Sequence, residues 1–374
     1  MAPEDRPEPD RIAGAPHPRE TQTLIGQDAA QAEFLEAYNS GRLHSGWLIT
    51  GPRGVGKATL AWKIATFLLA EPPQDGGLFG APPPPTSLNV DPDHPDAHLV
   101  QSGAHPRLYV VRRPFDEKSG KLKTEITADP VRALKGFFHL SATDGGRRVV
   151  IVDCADEMNV TAANSLLKEL EEPPANTTIL LISHQPAGLL ATIKSRCREL
   201  RLGMLTPDDM QQAMQSAGIV DAEAPALAAL SGGSVGEAIL LHNMDGLALY
   251  SDLIKLFSGM PRMDRTIALA LAESCVGVKN AARFGLMLDL IDLFLSRTAR
   301  AGIIGEPHQQ AAPHEALLLV RLSPHDVAAR AWAALAQELT DRSRHGRAVN
   351  LDPASLILDM FFKIEETAQK FAAS

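Results

Sequence analysis

The run Gly51-Pro52-Arg53-Gly54-Val55-Gly56-Lys57 constrains this chain more than any other part of it. It follows the apolar, strand-length stretch Trp47-Leu48-Ile49-Thr50 and precedes Ala58 to Leu69, which reads as a helix. Strand, glycine-rich turn and helix in that order form the setting in which backbone N–H groups close around phosphate oxygens. The helix N-terminus adds the positive end of its dipole, and Lys57 adds a full charge. Gly51, Gly54, Gly56 and Lys57 are therefore the candidate phosphate-binding residues. A glycine turn kept for packing is the alternative, and it explains Lys57 poorly.

Further elements follow the same order. Residues Ala29 to Tyr38 read as a helix, Leu108 to Val111 as a strand and Asp129 to Leu140 as a helix. Val149-Val150-Ile151-Val152 is a continuous apolar run of the kind buried in a parallel sheet, and Asp153 at its end is placed to reach Mg²⁺ through water. Asn159 to Leu170 sets Ala163, Leu166, Leu167 and Leu170 on one helix face, which Pro173-Pro174 ends. Ile179 to Ile182 is another buried strand. Alternating strands and helices predict a doubly wound α/β domain over residues 23–203.

The remainder reads differently. Residues 1–22 carry five prolines and many charges, and are expected to be a disordered lead-in. Residues 71–106 hold nine prolines and no helical period, and are expected to be an extended, mobile insertion. Residues 204–245 read as a helical lid broken at Gly232-Gly233, and 246–374 as an all-helical domain. In the latter, Phe284, Leu288, Ile291 and Leu295 share an apolar face. Asp352 with Pro353 starts the last helix, which carries Leu356, Met360 and Ile364.

Composition excludes some roles. A formal net charge of −9 argues against an autonomous nucleic-acid binder. Cys154, Cys197 and Cys275 form no C-x-x-C pair, so no disulfide framework or zinc module is expected. No apolar window is long enough to span a membrane, and the polar N-terminal stretch lacks the apolar segment of a signal peptide. A cytoplasmic location, with no membrane partner, is the expectation.

Parts of a hydrolytic site are missing. The position after Lys57 normally carries the hydroxyl that ligates Mg²⁺, and here it is Ala58. Thr59 lies one helical step away, a swing of about 100°. Cys154 follows Asp153 where a glutamate would orient the attacking water, and a thiol is no such base.

The stretch Thr161-Ala162-Ala163-Asn164-Ser165-Leu166-Leu167-Lys168-Glu169-Leu170-Glu171-Glu172-Pro173-Pro174 resembles the A-A-N-x-L-L-K-x-L-E-E-P-P signature of AAA+ clamp-loader subunits. The segment Leu189 to Cys197, ending Ser195-Arg196-Cys197, is similar to the Ser-Arg-Cys segment of that family, as is Leu24-Ile25-Gly26-Gln27 near the start. The matches run from residue 24 to about 202. The resemblance implies an AAA+ P-loop domain, a small helical lid and an all-α collar that assembles a ring.

It implies partners too: the gamma/tau and delta subunits of the DNA polymerase III loader and, through the complex, the β sliding clamp and primer-template DNA. Arg196 would reach into a neighbour's ATP site as a finger, a role that supplies about 10³–10⁵ in rate. The bland alternative is a surface ion pair. Ser183 would be the first sensor, whereas Gly236 stands in the place of the second sensor's arginine.

With Ala58, Cys154 and Gly236 in those places, a subunit that donates a finger and hydrolyses no ATP is expected. ATP or ADP would bind weakly or only vestigially. Many clamp-loader subunits carry a four-cysteine zinc module after the phosphate-loop helix; residues 71–106 have no cysteine, so no zinc is expected. The alternatives are an active gamma/tau-type loader ATPase and an independent AAA+ DNA-processing motor. Both need the groups that are missing here.

Overall fold

The computed structural model describes residues 8–12, 15–21, 23–70, 83–117, 120–140, 146–219 and 223–371. The chain forms two compact units, residues 1–217 with 233–239, and residues 218–232 with 240–374.

The first unit opens with α1 (Asp28–Asn39), β1 (Gly46–Thr50) and α2 (Lys57–Leu69). Next come α3 (Pro95–Gln101), β2 (Leu108–Val111), and the two-stranded hairpin β3 (Phe115–Asp116) and β4 (Lys121–Leu122). They are followed by α4 (Ala128–Arg132), α5 (Leu134–Leu140), β5 (Arg148–Val152), α6 (Val160–Glu171) and β6 (Thr177–Ser183). The unit continues with α7 (Ala191–Lys194), β7 (Arg198–Arg201) and α8 (Pro207–Ser216).

The main sheet has the order β2-β5-β6-β1-β7, and every pairing in it is parallel. Strands β1, β5 and β6 are buried along their whole length, which is why they read as continuous apolar runs rather than alternating ones. Helix α6 begins where the Asn159 side chain accepts the Ala162 N–H at 2.9 Å. It buries Ala163, Leu166 and Leu170 against the sheet, with Leu167 partly covered.

In the second unit lie α9 (Ala224–Ser231), the end of α10 (Val235–Asn243), α11 (Gly246–Ser258), α12 (Arg265–Glu273) and α13 (Ala281–Ile304). The helices α14 (Glu315–Leu322), α15 (Asp326–Ala348) and α16 (Pro353–Phe371) complete it. Its core holds Tyr250, Phe257, Phe294, Trp332 and Phe361, all fully buried. Asp352 caps α16 by accepting the Ser355 N–H at 2.8 Å. Glu315, also fully buried, accepts from Tyr250 Oη at 2.6 Å, Arg297 Nε at 2.7 Å and the Ala311 N–H at 2.6 Å. No single described helix is long and apolar enough to cross a membrane.

Three expectations change. Residues 8–12 and 15–21 are an ordered arm rather than a disordered lead-in, because Glu8 and Asp10 find partners far along the chain in Arg112 and the buried Trp62; residues 1–7, 13, 14 and 22 lie outside the described residues. In the insertion, 71–82 lie outside the described residues, but 95–101 form α3 with His94 as N-cap and Pro95 at the first position. The lid over 204–245 is no separate body: 204–217 and 233–239 belong to the first unit, and the rest to the second. The division follows the turn at Gly232 and Gly233, after which the start of α10 hydrogen bonds to the phosphate loop.

Candidate functional site

The loop between β1 and α2 turns through Gly51, Gly54 and Gly56, all with positive φ, values that β-carbon-bearing residues rarely adopt. Gly54 faces the first turn of α10. There the Gly236 N–H donates to Gly54 O at 2.9 Å, and Ser234 Oγ donates to Arg53 O at 2.9 Å. The approach is close enough that a β-carbon at Gly236 would lie 2.7 Å from Gly54 Cα and 2.8 Å from Ile12 Cδ1. The position that a sensor arginine would occupy is thus a backbone-to-backbone contact.

Beside this loop lies a cavity of about 530 Å³ within the first unit. Gly54, Gly56, Lys57, Ala58, Asp153 and Cys154 line it, together with Arg53, Glu157 and His184. Gly51, Ser183 and Arg196 are not on its wall. Gly51 sits behind the loop and offers its carbonyl to Lys57. Ser183 is fully buried on the far side of β6, its Oγ without a partner, because successive strand residues point to opposite faces. That same alternation puts Ile182 and His184 on the cavity side, a signal readable from period two alone. Thr59 also reaches the cavity wall, despite its helical step from Ala58.

Lys57 does not present a free ammonium. Its Nζ donates to Gly51 O at 2.7 Å and to Pro52 O, inside its own loop. Burial lowers its pKa to about 8 against the pull of the acidic groups Asp156 and Asp153. Asp153 is buried with Oδ2 unpartnered, and its pKa is raised to about 7 by that burial and then by the charges of Asp10 and Glu157.

At the end of β5, Cys154 takes the left-handed backbone conformation, at φ 59°, which is strained for a residue with a side chain. Its Sγ lies 3.2 Å from His184 Nε2. Burial and the carboxylates of Asp153, Glu157 and Asp156 push the thiol pKa far up, whereas burial and the Lys57 charge push His184 down to about 4. The pair is therefore a neutral thiol beside a neutral imidazole. Neither is a base strong enough to draw a proton from water at neutral pH.

These residues do not fit a magnesium nucleotide. The metal's hydroxyl is absent at Ala58, the lysine is engaged by its own loop, and Asp153 is buried and held towards its neutral form by that burial and by the charges of Asp10 and Glu157.

The other wall of the cavity is the arm. Pro9, Asp10, Ile12 and Pro16 face the phosphate loop across it. Glu8 binds Arg112 at 2.8 Å and Arg19 at 3.0 Å, and Asp10 binds His17 at 3.1 Å and accepts from Trp62 Nε1 at 3.3 Å. His17 is fully buried, edge-on to Trp62. Sequence reasoning missed the arm as well as His184 and Arg53.

Arg196 stands elsewhere, between α7 and β7. Its Nη2 pairs with Glu171 Oε1 at 2.7 Å, and its Nη1 donates to Thr192 O at 2.9 Å.

A parallel sheet carrying a glycine-rich loop, an acidic strand end and a helical second unit defines an AAA+ protein of the P-loop class. Residues 26–206 match the family described as "DNA polymerase III, delta subunit". The DNA polymerase III subunit delta' of Pseudomonas aeruginosa is 36% identical over 233 residues, covering 59% of this chain and 60% of that one. Its counterpart in Escherichia coli is 34% identical over 217 residues, covering 57% and 59%. Through this region the chain is similar to the delta-prime subunits of clamp loaders. It spans about three-fifths of the length of the curated relatives that it matches. Among solved structures, a DNA polymerase III gamma subunit-related protein of Thermotoga maritima is 16% identical, with a TM-score of 0.39 over 90% of this chain and 99% of that one.

Proposed function

We propose that this chain is a non-hydrolysing subunit of the DNA polymerase III clamp loader. It works with gamma/tau and delta subunits in ATP-dependent opening of the β sliding clamp and its placement on primer-template DNA. It donates Arg196 to the ATP site of a neighbouring motor subunit, and its own phosphate loop binds ATP or ADP weakly or not at all. Matches to a gamma subunit of Buchnera aphidicola and to a tau subunit of Escherichia coli support the choice of assembly.

The observation that carries the reading is the pairing of Cys154 with His184, 3.2 Å apart, at the place where hydrolysing relatives carry a glutamate. A planar guanidinium suits charge developing on a phosphoryl group, and Arg196 is positioned off the chain's own cavity, as a group acting on a neighbour must be.

The test is ATP turnover by the purified chain with Mg²⁺, beside the Ala58→Thr, Cys154→Glu double variant. The expected result for the chain itself is no turnover above that of a Lys57→Ala control. Turnover that vanishes on Lys57→Ala would make it a working motor and end the proposal.

A further inference from the structure

We propose that the arm formed by residues 8–12 and 15–21 is a built-in barrier that keeps nucleoside polyphosphates off the phosphate loop. It deepens the non-hydrolysing reading and rests on it.

The first argument is position. Asp10 and Ile12 share the cavity with Gly54, Gly56 and Lys57, and Ile12 packs on Gly236 where α10 meets Gly54. A polyphosphate seated along the loop would lie against the arm.

Charge supplies the second argument. Asp10, Glu20 and Glu157 join the strand-end Asp153 on the wall, where Arg113 is taken up by Glu157 at 2.7 Å and Arg53 remains beside the loop. Lys57, which would offset a phosphate charge, is already bound by the Gly51 and Pro52 carbonyls. An incoming triphosphate therefore meets carboxylates already paired with the nearby cations, and an occupied lysine.

The third argument is anchorage. An arm that was merely passing would not bury its polar groups so completely. His17 is fully buried, and the Asp10 side chain is 2% exposed. Arg112 holds Glu8 at 2.8 Å and lies 3.7 Å from Asp10, while Trp62 supplies a hydrogen bond and a ring face. Burial works against the charges on Glu8 and Asp10. The bonds and charge from Arg112 at Glu8, and from His17 at Asp10, outweigh it and hold both carboxyls below the ordinary range. Buried charges of this kind persist only when fully partnered, so the clasp is fixed in one arrangement.

The experiment compares the full chain, the chain lacking residues 1–21, and Arg112→Ala, each titrated with a ribose-labelled fluorescent ATP, with and without Mg²⁺. Circular dichroism melting checks that each is folded. The full chain should show no saturable binding. Deletion of the arm, or Arg112→Ala, should tighten binding by at least about tenfold, and Lys57→Ala in the deleted background should remove the gain. Equal binding by the full chain and both released forms would overturn the barrier, as would a folded released form with no gain. If the deletion does not fold, Arg112→Ala decides. Binding without turnover by the full chain would sink the barrier alone. Turnover by the full chain would also sink the non-hydrolysing role.

Discussion

The guanidinium of Arg196 is held 2.7 Å from the carboxylate of Glu171, at the last turn of α6, with a third of the arginine side chain still open to solvent. The pair joins the Ser195-Arg196-Cys197 segment to the helix that carries the Leu-Glu-Glu-Pro-Pro end of the other signature. A half-exposed pair of this kind contributes at most about 1 kcal/mol to stability. Arg196→Ala should therefore melt within a degree or two of the parent, yet slow DNA-stimulated turnover of a reconstituted loader by about tenfold or more at the site it serves. Arg196→Lys should not rescue turnover, because a point charge lacks the planar fork. Unchanged turnover with Arg196→Ala would rule out the finger.

Asp153 gives a pH signature. Its pKa is raised in the folded chain to about 7, far above that of a free carboxyl, chiefly by burial, so its protonated form stabilises the fold. That contribution is complete below the unfolded pKa and drains away as pH rises through the folded one. Asp153→Asn should thus match the parent near pH 4 and exceed it increasingly towards pH 7. Above that the gap should be flat, on the order of 2–4 kcal/mol. Thermal melts at a series of pH values would read this directly, and a gap that shrinks with rising pH would contradict it.

The backbone contact between Gly54 and Gly236 predicts intolerance of a single methyl. Gly236→Ala places a carbon 2.7 Å from Gly54 Cα, where no flexible side chain can yield. The expected cost is about 1–3 kcal/mol, measured by urea unfolding of the first unit's signal. A neutral result would mean that the loop and α10 separate easily in solution.

In the second unit, Arg297→Ala should be among the most damaging substitutions. It removes the cation from a fully buried Glu315 and should cost about 3–5 kcal/mol by thermal or chemical unfolding. Arg330→Ala, which breaks an exposed pair with Asp326, is the control and should change stability by less than about 0.5 kcal/mol.

Much of the first unit could be read from the chain because its signals are local. The strands are unbroken apolar runs, the loop is a contiguous motif, and α6 announces itself by spacing and by Asn159. The arm gives no such signal. Its prolines and charges resemble a solvated tail, and what orders it are partners 52 and 104 positions away in Trp62 and Arg112. Helix α3 gives little signal for a similar reason: seven residues capped by His94, about two turns, are too short to show a period among so many prolines. The motif points to Ser183, but strand alternation turns it from the cavity and brings His184 instead.

The clasp between Glu8 and Arg112 also bears on how the protein is made. Glu8 leaves the ribosome 104 residues ahead of Arg112, and the phosphate loop emerges in between. Until then the arm's long-range partner already made is Trp62, just beyond the loop, which bonds Asp10 and packs on His17. The Glu8–Arg112 pair waits until β2 has emerged, with β5 still to follow as its neighbour. The arm can thus be fastened before the sheet is complete, whereas the cavity closes only when Asp153, His184 and Gly236 have followed.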